Sequence, residues 1–243
     1  MPGWYGKLPS LGDFASRRLD PVFIEVWDQW LAAGMADWRE REPASWLDEY
    51  LTGPSWRFLL MPGLLSPGGG AWVGVLMPSV DKVGRYFPLT LAQPLPFLSY
   101  SASQARALLG WLQRLDDLAV AALQDDWTVD QLEVELARLG SWQQTPQQTL
   151  EQTLGLASLP SFELFSQTTV ALGTGGDVVT LLENAAREQL LHNLRAKALW
   201  LRSDSLGDPV LRMTMGLPRG ADFSGLLTSG IPRTTDSSSH HST

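Results

Sequence analysis

Three apolar runs in the N-terminal half dictate how this chain can pair its strands. Trp56-Arg57-Phe58-Leu59-Leu60-Met61, Ala71-Trp72-Val73-Gly74-Val75-Leu76-Met77 and the segment from Tyr86 to Gln93 are rich in aromatic and aliphatic side chains and are bounded by Pro and Gly. Parallel neighbours need a crossover of about a dozen residues or more, usually a helix, and neither connection has room for one. The pairing is therefore expected to be antiparallel. Pro67-Gly68-Gly69-Gly70 makes the first two runs a hairpin, and Pro94 and Pro96 are expected to end the third. Upstream, Trp4 to Leu8 reads as a short strand followed by a structured loop containing Pro9 and Gly12.

Helices are marked by a different period. Asp20-Pro21 supplies an N-cap with proline at the first helical position. Ile24, Trp27, Leu31, Met35 and Trp38 then recur in steps of three and four, which puts them on one helix face. That aromatic stripe is expected to be core. Trp46 to Leu51 forms one or two further turns before Gly53-Pro54. Leu108, Leu112, Leu115 and Leu123 define a helix over 103–124, capped by Ser101 or Ser103, and a second covers Val129 to Leu139.

Beyond these, Gln143 to Thr153 is polar and carries no clear pattern. Thr168 to Leu172 is expected as a strand, Gly173 to Asp177 as a turn and Leu182 to Arg195 as a helix. Ala198 to Arg202 and Val210 to Met215 form a second hairpin across the Ser203–Pro209 turn, and Ala221 to Leu227 a short helix. Residues 1–232 are expected to form one domain, and the Ser/Thr/His-rich tail over 233–243 to be disordered. The fold class is α/β in the α+β sense: a mostly antiparallel central sheet flanked by helices.

Composition narrows the function classes. There is no cysteine, which removes disulfides, thiolate metal sites and a cysteine nucleophile. A formal net charge of −8 argues against duplex nucleic acid and anionic membrane surfaces as partners. Met1-Pro2-Gly3-Trp4-Tyr5 lacks the pattern of a signal peptide, and no apolar run reaches the roughly 20 residues that span a bilayer. The expectation is a cytoplasmic protein with no direct membrane insertion. Most of the eleven tryptophans should be core, and an exposed one would suggest an interface anchor.

Two dense loop blocks stand out: Gly6-Lys7-Leu8-Pro9-Ser10-Leu11-Gly12-Asp13-Phe14 and Pro78-Ser79-Val80-Asp81-Lys82-Val83-Gly84-Arg85-Tyr86-Phe87-Pro88-Leu89-Thr90. Taken with Trp27-Asp28-Gln29-Trp30-Leu31 and Ser55-Trp56-Arg57-Phe58, they resemble the TagF (ImpM) family, accessory proteins encoded with bacterial type VI secretion systems. The resemblance is nearly unbroken over 3–96, fades through a divergent middle over about 98–160, and partly returns at Gly216-Leu217-Pro218 and Phe223-Ser224-Gly225-Leu226-Leu227. It implies a fold related to longin and signal-recognition-receptor X (SRX) domains. It also implies a non-catalytic cytoplasmic regulator, a post-translational repressor that binds a forkhead-associated-domain scaffold of the apparatus. No cofactor is implied. Some members carry a fused phosphatase domain, for which this chain is expected to be too short.

The resemblance assigns no contact residues, so a surface has to be sought in the loops themselves. One face is expected to combine Lys7, Asp13, Phe14, Arg17 and Arg18 with Ser79, Asp81, Lys82 and Arg85, and with an edge formed by Trp56 and Arg57. The same charges admit a structural role: Asp13 capping a turn, and Asp81 pairing with Arg85 across the Val83-Gly84 bend.

Catalytic signatures are weak. Only His192 lies in an expected element, there is no G-x-S-x-G elbow, and the glycine-rich stretches fit neither phosphate-binding motif. Asp116-Asp117 and Asp125-Asp126 are expected on a solvated face, because adjacent helical residues point about 100° apart. The alternative function is a metal-dependent hydrolase or phosphatase acting on phosphorylated secretion components, with Asp13 and Asp81 around a divalent ion.

Overall fold

A computed structural model describes residues 1–95, 102–142, 192–203 and 209–228. The strands are β1 (Gly3–Gly6), β2 (Ala15–Arg17), β3 (Trp56–Leu60), β4 (Ala71–Met77), β5 (Leu89–Leu95), β6 (Lys197–Ser203) and β7 (Pro209–Met215). They make a seven-stranded sheet in the order β2-β1-β5-β4-β3-β6-β7. Every pair is antiparallel. The helices are α1 (Pro21–Arg41), α2 (Trp46–Leu51), α3 (Ala102–Gln124), α4 (Val129–Leu139) and α5 (Ala221–Leu227).

Alternation along the strands sends side chains to two separate cores. Trp56, Phe58 and Leu60 of β3 join Leu76, Ala92 and Trp200 beneath α1, α2 and α5. Val73, Val75, Leu89 and Leu91 face the other way, onto Leu108, Leu112, Leu115, Leu132 and Leu136 of α3 and α4. The result is a three-layer sandwich with helices on both sheet faces. Gly74 marks a tight point of the sheet: a Cβ there would collide with the Leu91 carbonyl oxygen and the Phe58 ring.

The expected elements over Pro21–Arg41, Trp46–Leu51, Trp56–Leu60, Ala71–Met77, Val129–Leu139 and Ala221–Leu227 are all found. The Asp20 carboxylate accepts from the Val22 amide at 2.8 Å, so the N-cap forms as its residue type requires. Three readings need correction. Ser103 lies inside α3, which starts at Ala102, and so does not cap it; Ser101 lies outside the described residues. The third strand begins at Leu89, because residues 78–88 close on themselves through Asp81–Arg85 and Phe87–Ser79 backbone hydrogen bonds. It also runs through Pro94, which pairs with Trp72 of β4, while β1 stops opposite Ala92. The side of Pro94 that lacks an N–H thus has no β1 residue to satisfy.

Among the described residues no helix is long and apolar enough to cross a membrane. The readings for Gln143–Thr153, Thr168–Leu172, Gly173–Asp177, 182–191, 204–208 and the 233–243 tail lie outside the described residues. His192 is exposed.

Candidate functional site

The two loop blocks, far apart in sequence, dock on one another through one carboxylate. The Lys7 Nζ donates to Asp81 Oδ2 at 2.7 Å, and Arg85 Nε donates to the same oxygen at 2.7 Å. Asp81 Oδ1 accepts from the amides of Val83 at 3.0 Å and Arg85 at 2.9 Å. Both oxygens are thus engaged in a buried setting. Burial alone would favour the neutral acid, but the hydrogen bonds from Lys7, the Arg85 amide and guanidinium, and the Val83 amide outweigh it. They hold the Asp81 carboxyl well below the usual carboxylate range.

Neighbouring contacts tie this pair to the core. Ser79 Oγ donates to the Lys7 carbonyl at 2.7 Å. The Tyr50 hydroxyl donates to the Ser79 carbonyl and accepts from its amide, both at 2.8 Å. Burial is the main reason the Tyr50 phenol is pushed well above its ordinary value. The Lys82 amide donates to the Leu11 carbonyl at 2.9 Å, and the Arg85 guanidinium donates to the Gly12 carbonyl. Gly6 has φ +129°, a region that only glycine occupies readily, and a side chain there would strike the Pro88 carbonyl. The first block can therefore lie against the second only with glycine at position 6.

On this frame sits an exposed rim. Phe14 is 46% exposed, stacks edge-on against Phe87 at 4.8 Å between centroids, and lies 4.8 Å from the Lys7 ammonium. Asp13, Lys82, Val83 and Arg85 are exposed, with Val83 at the tip of the bend. Asp13 accepts from the Phe14 amide at 2.8 Å and stands 3.8 Å from Arg85. Arg17 is exposed on the edge strand β2. Arg18 turns away from the rim to Glu133 of α4, 2.5 Å distant, and to the Pro2 carbonyl.

The remaining expected positions are not on that surface. Lys7, Ser79, Asp81 and Trp56 are buried, which makes the first three the frame beneath the rim. Trp56 and Arg57 are consecutive on β3 and so point to opposite sheet faces. The Trp56 indole donates to the Leu226 carbonyl of α5, whereas the Arg57 guanidinium donates to Gln113 of α3 and lies 3.9 Å from Asp116. Asp116 consequently leaves the solvated face expected for it. Its carboxyl is pushed up mainly by burial, against the opposing pull of a Ser55 hydrogen bond and Arg57.

A groove of about 640 Å³ runs between the rim and α1. Lys7, Arg39 and Arg85 line it beside a single carboxylate, Asp28, and its walls include Phe14, Trp46, Tyr86 and Phe87. Arg39 lies over the Trp46 ring at 4.4 Å. Asp28 accepts from the Tyr5 hydroxyl, and burial followed by that carboxylate raises the Tyr5 phenol well above its ordinary range. The sequence reading missed Asp28, Arg39, Trp46 and Tyr86. Asp28, Ala32, Met35 and Arg39 follow one another at four, three and four residues, so a row flanking the core stripe and sharing Met35 with it carried the signal for Asp28 and Arg39.

A family model described as the TagF N-terminal domain, type VI secretion system-associated, matches residues 3–139. Among solved structures, the crystal structure of PA0076 from Pseudomonas aeruginosa PAO1 is similar, with a TM-score of 0.66 and 32% sequence identity over 95% of this chain and 95% of that one. A search of curated proteins finds no match. The loops that make the rim and its frame fall within the matched stretch, and the chain belongs to the TagF family of type VI secretion-associated proteins.

Proposed function

We propose that this protein is a non-catalytic, cytoplasmic, post-translational repressor of type VI secretion that acts by binding a forkhead-associated-domain scaffold of the apparatus. The observation that supports this reading most is the docking of two loop blocks through Lys7, Asp81 and Arg85. That arrangement holds Asp13, Phe14, Lys82, Val83 and Arg85 as a preformed rim beside a groove with more cations than carboxylates. A rim that is already ordered loses little conformational entropy on association. Exposed Lys82 on the rim and exposed Arg39 in the groove are cations outside the Asp81 ion pairs, and they give orientation to an acidic partner surface.

The hydrolase alternative draws no support from this geometry. Of its two carboxylates, Asp81 has both oxygens occupied by nitrogen donors. Asp13 points instead toward Arg85.

Lys82 gives the cleanest test, because its side chain is exposed while only its backbone supports the frame. Capture of the purified scaffold should weaken about tenfold or more in Lys82→Glu, the equivalent of one like-charge contact, with an unchanged Tm. Equal capture by wild type and Lys82→Glu would remove this rim from the interface. Failure of the wild type to bind would remove the scaffold from the proposal.

A further inference from the structure

The two edges of the sheet are built differently. β2 is three residues long and carries exposed Arg17, with Arg18 following it at φ +59°. Short, charged and twisted edges resist pairing with other strands. β7 is protected far less. It is seven residues long, its sole charge is Arg212, and Leu211, Met213 and Met215 are 58%, 49% and 76% exposed. Those three side chains share one sheet face with their β6 partners Leu201, Leu199 and Lys197.

Backbone direction adds a second, independent fact. The Met61 amide donates to the Lys197 carbonyl, and the Gly216 amide donates to the Ala196 carbonyl. Antiparallel strands alternate the side to which successive residues turn their N–H and C=O groups. Lys197, Leu199 and Leu201 therefore face β3, while Ala198, Trp200 and Arg202 bond to Thr214, Arg212 and Val210. Leu211, Met213 and Met215 are left with backbone groups directed at the open edge. Among the described residues, those whose hydrogen-bonding groups face the sheet edge are the same ones that expose apolar side chains.

We propose that β7 is a self-pairing edge through which two copies of this chain join their sheets about a two-fold axis at Met213. Antiparallel pairing of a strand with its own copy is isologous, so its register can be tested residue by residue. With the axis at Met213, Met213 exchanges both backbone bonds with its mate, and Leu211 and Met215 exchange theirs crosswise. Each Arg212 then lies opposite a Thr214. Moving the axis to Arg212 sets two guanidinium groups directly opposite each other, which is destabilising. That register also brings Pro209, which has no N–H to donate, into the ladder against Met215. Of these two registers, the Met213 one keeps its three rungs intact and the charges apart. Among the described residues nothing pairs with the outer side of β7.

Sedimentation velocity on the full chain, from about 1 to about 200 µM, is expected to show a monomer–dimer equilibrium governed by mass action. Met213→Arg brings two like charges together at the axis and should weaken the dimer about tenfold or more, without lowering the Tm of the dilute monomer, since the side chain is exposed there. Register is read separately. The chain has no cysteine, so Met213→Cys introduces a single thiol that meets its own mate and should oxidise to a covalent dimer. Leu211→Cys faces Met215 of the second copy and should stay monomeric on a denaturing gel. A monomer at every concentration overturns the proposal. So does a dimer indifferent to Met213→Arg, or one in which Leu211→Cys crosslinks as readily as Met213→Cys.

Discussion

Asp81 receives four N–H donors, from Lys7, Val83 and twice from Arg85, in a site closed to solvent. Its native carboxyl is far more acidic than in the unfolded chain, where it titrates near about 3.9. Stability from a depressed carboxylate is fully present above the unfolded value and fades as pH falls toward the folded one. Asp81→Asn should therefore lower Tm by several degrees at pH 7, leaving the Lys7 ammonium buried without its counter-ion. Thermal melts should show that gap narrowing as pH drops from about 4 toward 2. A gap independent of pH would mean that the carboxylate's charge contributes nothing. Half of this site was legible in the sequence. The Asp81–Arg85 pair spans one tight bend, and Gly84 with φ +78° permits it. Lys7 was expected on the same face as Asp81, but its burial and direct pairing were not legible, because the two meet across 74 positions and one lysine in a polar loop carries no mark of its burial.

Among elements, those with a strong local signal were the readable ones. α1 declared itself through Asp20-Pro21 and a tryptophan stripe; α4 was expected over its full range, and the structure adds a Thr128–Gln131 capping box that the sequence reading did not use. Removing the Asp20 acceptor in Asp20→Ala should cost about 1 kcal/mol, measurable by urea denaturation as a lower midpoint with an unchanged slope. β5 was misread at both ends because its limits depend on neighbours. Leu89 is where the 78–88 loop releases the chain, and Pro94 is tolerated because β1 has already stopped. No property of residues 86–95 alone encodes either fact. The Trp56-Arg57 edge failed for a simpler reason: once on a strand, adjacent residues cannot share a face.

At the scale of the molecule, none of the eleven tryptophans is exposed, so the aromatic excess is architecture rather than anchor points. On the α1 side they form a continuous cluster in which Trp27, Trp30, Phe58 and Trp200 touch in turn. α5 closes it: the Phe223 ring meets Trp30 edge-on at 5.4 Å and fills the space left by Gly34. Phe223→Ala should cost about 3–5 kcal/mol in equilibrium unfolding, as an aromatic cavity beside a rigid glycine has little room to collapse. Near-ultraviolet and far-ultraviolet dichroism should still melt together, because the aromatic cluster joins helix and sheet alike. The position of α5 also has a temporal side. The Trp30 indole donates to the Pro218 carbonyl at 2.7 Å, across 188 positions of chain. A ribosome adding about 5–20 residues per second needs roughly 10–40 s to make that acceptor after Trp30 has been made. Until then the part of the α1 face that α5 covers, around Trp30 and Gly34, stays open, a surface for chaperones to hold until α5 arrives.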